Sequence, residues 1–174
     1  MDYHPQDQSH AVSLRDPERF WLHQSDQLQW HRKPTGALKT YETTLSNGSG
    51  HASFSWFPDG EISTTYNCVH RHVASGNGET AAIIWDSPVT KSQEKITYKQ
   101  LLQDVEVLAA VLREEGVNGG DVVLVYMPMI PAALFAILAI AHLGAIHAVV
   151  FGGFAPASLA QRIEASKVRL VRDV

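Results

Sequence analysis

The sequence is poor in cysteine, since Cys68 is the single cysteine among 174 residues. One thiol cannot form an internal disulfide, which excludes a miniprotein held together by disulfide bridges. A chain of this length can instead bury a sizeable apolar core of its own. The lone cysteine also fits a reducing compartment.

The sequence has no excess of positive charge. Lys and Arg number 14 against 18 Asp and Glu, which gives a formal net charge of −4. Without a basic field, neither a nucleic acid nor an anionic membrane is expected as a partner. Residues 1–15 match neither a secretory signal nor an acid-free, Arg-rich mitochondrial presequence. We therefore expect a disordered tail over residues 1–15 and a cytoplasmic protein, with a mitochondrial location left open.

One long stretch lacks charge altogether, because no Asp, Glu, Lys or Arg occurs from Val122 to Phe151. Such a run could cross a bilayer, but Pro128 and Pro131 would interrupt its helical hydrogen bonds. The run divides more naturally into a strand, a helix and a second strand, at residues 122–126, 131–144 and 145–151. The pattern favours a buried strand–helix–strand unit over a membrane span.

Residues 16–80 predict a helix followed by polar loop and turn segments. Asp16 as the N-cap and Pro17 at the first helical position predict the start of a helix. Residues 31–50 are polar and predict a loop, and the Pro58-Asp59-Gly60 segment predicts a turn between aromatic residues.

Residues 81–174 predict an α/β arrangement. Two short strands at residues 81–85 and 94–98 predict a hairpin. Thr97 and Gln100 then form a capping box before a helix that ends at Gly116. A later helix at residues 157–166 and a strand beginning in residues 168–171 complete the alternation. Strands that alternate with helices indicate a partial parallel sheet of βαβ type.

Motifs that would indicate a metal site, a catalytic residue or a phosphate-binding loop are scarce. Cys68, His70 and His72 would share a face if their segment were a strand, but the spacing is not typical of a zinc site, so we predict no metal site. No Gly-x-Ser-x-Gly motif is present, and we predict no catalytic residue. The glycine-rich stretches at residues 46–50 and 75–78 lack the closely following Lys of a phosphate-binding loop.

Gly152 and Gly153 are the best-placed small residues. They follow a predicted buried strand and precede a predicted helix, and ligands of open α/β sheets bind at the carboxyl ends of strands. The alternative, a tight turn that needs positive φ angles, is the explanation that the spacing alone favours over a ligand site.

Several uncommon segments occur in a familiar order, at residues 66–72, 81–90, 96–100, 125–131 and 143–155. The chain resembles the front of a short-chain acyl-CoA synthetase, an AMP-forming acetate– or propionate–CoA ligase of the adenylate-forming superfamily. The resemblance runs from about Phe20 to Leu170, and the DSPVT segment at residues 86–90 is closer to the propionyl-CoA synthetase branch. It implies a helical and hairpin N-terminal cap region over residues 16–80 and an incomplete start of the AMP-binding, adenylate-forming domain over residues 81–174.

The resemblance implies a two-step reaction. A small carboxylate attacks ATP to give an acyl-adenylate and pyrophosphate, and the CoA thiol then displaces AMP, with Mg²⁺ balancing the phosphate charge. Gly152 and Gly153 match the family's glycine pair beside the CoA site. Two positions depart from the family pattern, because the family usually has Asp at the position of His70 and Arg at that of His142.

The resemblance also bears on activity. The family's phosphate-binding loop with its Lys, the acyl pocket and the small C-terminal domain have no counterpart in residues 1–174. We therefore expect a truncated front part of a synthetase that is inactive alone. The alternative is a non-catalytic module that binds a CoA-type ligand or a full-length synthetase.

Overall fold

The structure of the chain, a computed structural model, describes residues 5–44, 48–168 and 170–173. The chain divides into two compact units, Met1–Ile62 and Ser63–Val174. The first unit holds helices α1 (Pro5–Arg15) and α2 (Pro17–Ser25) and strands β1 (Trp30–Arg32), β2 (Leu38–Thr44), β3 (Gly50–Trp56) and β4 (Glu61–Ile62).

Helix α2 begins where the sequence predicted. The Asp16 carboxylate accepts a hydrogen bond from the backbone N–H of Arg19 at 3.1 Å, and Pro17 occupies the first turn. Helix α1 was not expected, since we predicted a disordered tail over residues 1–15. Residues 5–15 are instead helical with no buried residue, whereas residues 1–4 lie outside the described part of the chain. A helix without a buried face leaves no apolar periodicity in the sequence.

Strand β2 corrects the prediction of a loop over residues 31–50. It pairs antiparallel with β3, in register from Leu38 opposite Trp56 to Thr44 opposite Gly50. Nearly every residue of β2 is exposed, so the strand shows no alternation of apolar and polar residues. Its Thr and Tyr residues favour extended structure, and pairing with β3 satisfies its backbone.

Aromatic side chains of the first unit pack against one another. Trp21 meets the ring of Trp56 edge-on at 5.5 Å, and Trp30 meets Phe57 at 5.4 Å. The predicted turn follows Phe57, where the Gly60 N–H donates to the Phe57 carbonyl at 2.9 Å. The unit is therefore organised around aromatic contacts.

The second unit begins with a π-helical segment, Tyr66–His70 and Val73–Asn77. Strands β5 (Ala81–Ser87) and β6 (Ser92–Thr97) form the predicted hairpin. Helix α3 (Tyr98–Glu114) follows its predicted capping box, and Gly116 takes a φ of 85° just after it.

The parallel sheet is present as predicted. Strands β7 (Val122–Met127), β8 (Ile146–Phe151) and β9 (Leu170–Asp173) are ordered β8-β7-β9, with helices α4 (Pro131–His142) and α5 (Pro156–Ser166) in the connections. The predicted strand start at residues 168–171 shifts to Leu170, and residue 169 lies outside the described residues. None of the helices that the structure describes combines the length and apolarity that a membrane crossing requires.

The core of the second unit lies between the sheet and helices α3 and α4. Fully buried side chains include Val105, Leu112, Val123 and Ile140. Val69 of the π-helical segment is also fully buried in this core. Residues 63–80, which we assigned to the cap region, therefore pack within the second unit.

Candidate functional site

The glycine pair lies in an exposed turn between strand β8 and helix α5. Strand β8 ends at Phe151, and the Phe154 N–H donates to the Phe151 carbonyl at 3.1 Å. Ala155 precedes Pro156 as the N-cap of α5 and offers no capping side chain. The turn thus stands at the carboxyl end of a parallel strand, the position at which ligands bind to such sheets.

Neither glycine supports the alternative of a turn that needs positive φ. Gly152 and Gly153 are not among the residues with positive φ, whereas Gly144 at the end of α4 has a φ of 71°. The expectation of a positive-φ turn at this pair was therefore wrong. Another reason must account for the small residues here.

The space around the pair is restricted. A Cβ atom on Gly153 would lie 2.7 Å from Cε1 of Phe151, so the ring would have to move. A Cβ atom on Gly152 would make ordinary contacts of 3.4 Å with the backbone of Met127 and Pro128. The backbone at Gly152 thus already lies against the end of strand β7, and a side chain at either glycine would meet atoms of the chain itself.

An apolar cavity adjoins the turn. It has a volume of about 640 Å³ and is lined by Trp85, Met127, Phe151, Phe154 and Arg162, among other residues. The Phe151 and Phe154 rings meet edge-on at 6.4 Å, and the Arg162 guanidinium lies 5.0 Å from the centre of the Phe154 ring. Phe154 is therefore held from two sides, which fixes one end of the turn.

Two histidines of the second unit, His70 and His142, contact each other. Nε2 of His70 lies 3.3 Å from Nδ1 of His142, and the His70 ring also stacks on Tyr66. Burial lowers the pKa of His142, and the nearby positive charges of His70 and Arg113 lower it further, while Glu106 opposes the shift. The geometry favours a neutral His142.

The Cys68-x-His70-x-His72 segment is helical, so the three side chains do not share a strand face. Cys68 is exposed, and the His72 ring stacks on Tyr98 at 4.6 Å. Across residues 5–44, 48–168 and 170–173, no group of three His, Cys, Asp or Glu residues is placed to hold a metal ion. The stretch at residues 75–78 follows within the same helical region, and part of the stretch at 46–50 lies outside the described residues.

Comparison with known families decides the relationship. The family described as AMP-binding enzyme matches residues 70–172, more than half of the chain. The chain belongs to this AMP-binding enzyme family. A second family, described as acetyl-coenzyme A synthetase N-terminus, matches residues 6–68. The resemblance to short-chain acyl-CoA synthetases is therefore confirmed, and the α/β fold agrees with it.

Individual relatives within the family agree. The chain is 46% identical to "Acyl-CoA synthetase short-chain family member 3, mitochondrial" of Bos taurus, over 92% of this chain and 22% of the relative. It is 44% identical to "Acetyl-coenzyme A synthetase" of Rhizobium rhizogenes, over 88% of this chain and 22% of the relative. The chain thus spans less than a quarter of the length of these family members.

Sequence reasoning missed one residue at the glycine turn. Tyr126 lies on β7, and its hydroxyl lies 3.1 Å from the carbonyl oxygens of both Gly152 and Phe154. Within an apolar strand, a lone Tyr gives no signal of this contact, because the strand pairing that creates it joins residues far apart in the chain. The structure alone brings Tyr126 to the glycine pair.

Proposed function

We propose that this chain supplies the N-terminal cap and the first part of the adenylate-forming domain of an AMP-forming short-chain acyl-CoA synthetase. Such an enzyme converts acetate, propionate or a similar acid into its CoA thioester through an acyl-adenylate. The observation that carries the proposal is the Gly152–Gly153 turn, open at the carboxyl end of β8 in a chain of this family.

The proposed role of the glycine pair is to border coenzyme A. A long, flexible pantetheine arm needs a surface that it can approach closely, and the exposed glycine pair offers backbone without side chains. The neighbouring cavity offers an apolar wall formed by Phe151 and Phe154. Bound there, coenzyme A would supply the thiol that accepts the acyl group.

ATP and Mg²⁺ belong to the proposal only at the level of the family. Residues 1–174 contain no Ser/Thr/Gly-rich loop followed by a Lys that would hold the ATP phosphates. We therefore propose that the 174-residue chain alone forms no acyl-adenylate. The proposed compartment is a reducing one, the cytoplasm or the mitochondrial matrix, because the chain has one cysteine.

Two experiments test the proposal. Incubation of the purified chain with ATP, acetate or propionate, Mg²⁺ and CoA should release no pyrophosphate, and steady turnover would overturn the proposed inactivity. Titration of the chain with CoA should show weak binding that Gly152→Ala reduces. Gly119→Ala is the matched control, since its Cβ would also make an ordinary contact, 3.5 Å from the Leu143 carbonyl. Equal binding by both variants would contradict a role for the pair.

A second candidate function is association with a full-length synthetase. Strand β8 is an edge of the described sheet, and its Ile146, Val149 and Phe151 are 54%, 54% and 60% exposed. An exposed apolar edge strand favours pairing with another chain. Size-exclusion chromatography of the chain mixed with a synthetase tests this candidate, and independent elution of both proteins would argue against it.

A further inference from the structure

The hydroxyl of Tyr126 connects strand β7 to both ends of the glycine turn. Its oxygen lies 3.1 Å from the carbonyl oxygen of Gly152 and 3.1 Å from that of Phe154. A phenol has one proton to donate, so the two carbonyls share it or receive it in turn. Both carbonyls are therefore directed towards the same hydroxyl.

That arrangement fixes the direction of two backbone donors. The described chain has no cis peptide bond, and in a trans peptide the N–H points opposite to the preceding carbonyl. The N–H groups of Gly153 and Ala155 therefore point away from Tyr126. Neither makes a hydrogen bond with the described residues, and both residues are exposed.

We infer that Tyr126 is a positioning residue for the site at Gly152–Gly153. Its hydroxyl holds the Gly152 and Phe154 carbonyls on one side, so that the Gly153 and Ala155 N–H groups face the ligand on the other. Backbone donors of this kind suit the amide carbonyl oxygens of a pantetheine arm. This inference rests on the proposed function, because it assumes that coenzyme A is the ligand.

The test compares the unsubstituted chain with Tyr126→Phe, which removes one oxygen and keeps the ring. In ¹⁵N-labelled protein, the amide signals of Gly153 and Ala155 should move in Tyr126→Phe before any ligand is added. A titration with CoA should then show affinity reduced about three- to tenfold, the factor that one hydrogen bond typically carries. A merely structural role would lower the unfolding temperature without this loss of affinity.

Tyr98→Phe is the matched control. Tyr98 lies in the same unit and stacks on His72, and its hydroxyl makes no hydrogen bond with the described residues. It should leave the Gly153 and Ala155 signals and the affinity for CoA unchanged. Circular dichroism of each variant establishes that the fold is retained.

The outcomes separate the two proposals. Equal affinity of Tyr126→Phe and the unsubstituted chain for CoA would overturn the inference alone. Failure of the unsubstituted chain to bind CoA would overturn the proposed role of the glycine pair, and the inference with it. Both the proposed function and the inference would be supported if Tyr126→Phe shows reduced affinity for CoA together with shifted amide signals of the turn. Tyr98→Phe should show neither change.

Discussion

Nε2 of His70 lies 3.3 Å from Nδ1 of His142, so the π-helical segment and the last turn of α4 are joined by one hydrogen bond between imidazole rings. One ring must donate an N–H and the other must accept with a bare nitrogen. If both rings are protonated, no acceptor remains and two positive charges face each other. The contact therefore depends on pH.

The first prediction is that acid weakens the second unit. The pKa of His142 is lowered in the folded chain, so on acidification the unfolded chain takes up this proton first. The free energy of unfolding should therefore fall as the pH drops through about 6.5, and level off below the folded-state pKa. We expect the unfolding temperature to be lower at pH 5.5 than at pH 7.5, as measured by calorimetry.

The control for this prediction replaces the pair with residues whose charge does not change over this pH range. In the double variant His70→Asp with His142→Arg, both groups stay charged over this pH range. The two proteins share every other residue, so the difference between the two pH profiles isolates the pair. Identical profiles would show that the pair does not contribute.

The second prediction concerns Thr65, which is fully buried and donates its hydroxyl hydrogen to the Leu138 carbonyl at 2.8 Å. This bond ties the π-helical segment to helix α4. Thr65→Val keeps the shape and removes the bond, and should cost about 1 kcal/mol of unfolding free energy in urea denaturation. Thr64→Val, at the exposed neighbouring position, should cost much less. Equal losses would exclude the bond as the cause.

The third prediction concerns the capping box of helix α3. The Thr97 hydroxyl accepts from the Gln100 N–H at 3.2 Å, and the Gln100 side chain accepts from the Thr97 N–H at 2.9 Å. Thr97→Ala should therefore lower the unfolding free energy by about 1 kcal/mol, measured by urea denaturation. Thr97→Ser keeps the hydroxyl and should retain most of the stability. A serine variant as unstable as the alanine variant would assign the effect to the lost methyl group instead.

The fourth prediction concerns Gly60 in the first unit. A Cβ atom there would lie 2.7 Å from Cζ3 of Trp30, whose Nε1 donates to the Ser25 carbonyl at 2.9 Å. The indole is held by that bond, so Gly60→Ala should cost about 1–3 kcal/mol through overpacking. Gly50→Ala is the control, since no atom lies within 4 Å of its Cβ position. Tryptophan fluorescence during denaturation measures both, and a neutral Gly60→Ala would show that the indole can move away.

Local signals in the sequence predicted much of the second unit. The capping box at Thr97, the Gly116 stop and the alternation of strands and helices are all short-range features, and the structure has each of them. Helix α1 and strand β2 escaped prediction because they have almost no buried residues, which leaves no apolar pattern to detect.

The candidate site was located from the sequence but not explained by it. Position alone pointed to Gly152 and Gly153, at the end of an apolar strand before a helix. The reason for the glycines was mistaken, because their φ angles are not positive. Contacts with Phe151 and Met127 restrict the pair instead. The contact with Phe151 depends on the position of its ring beside Gly153.

By itself, the sequence determined the family, the βαβ alternation and the place of the glycine turn, because each rests on neighbouring residues or on uncommon segments in a fixed order. Only the tertiary structure decided that Tyr126 supports that turn and that His70 meets His142. Both contacts join residues that are distant in the chain, and strand pairing and helix packing bring them within hydrogen-bond reach. A hydrogen bond acts only at such short range, so its partners cannot be identified before the fold is known.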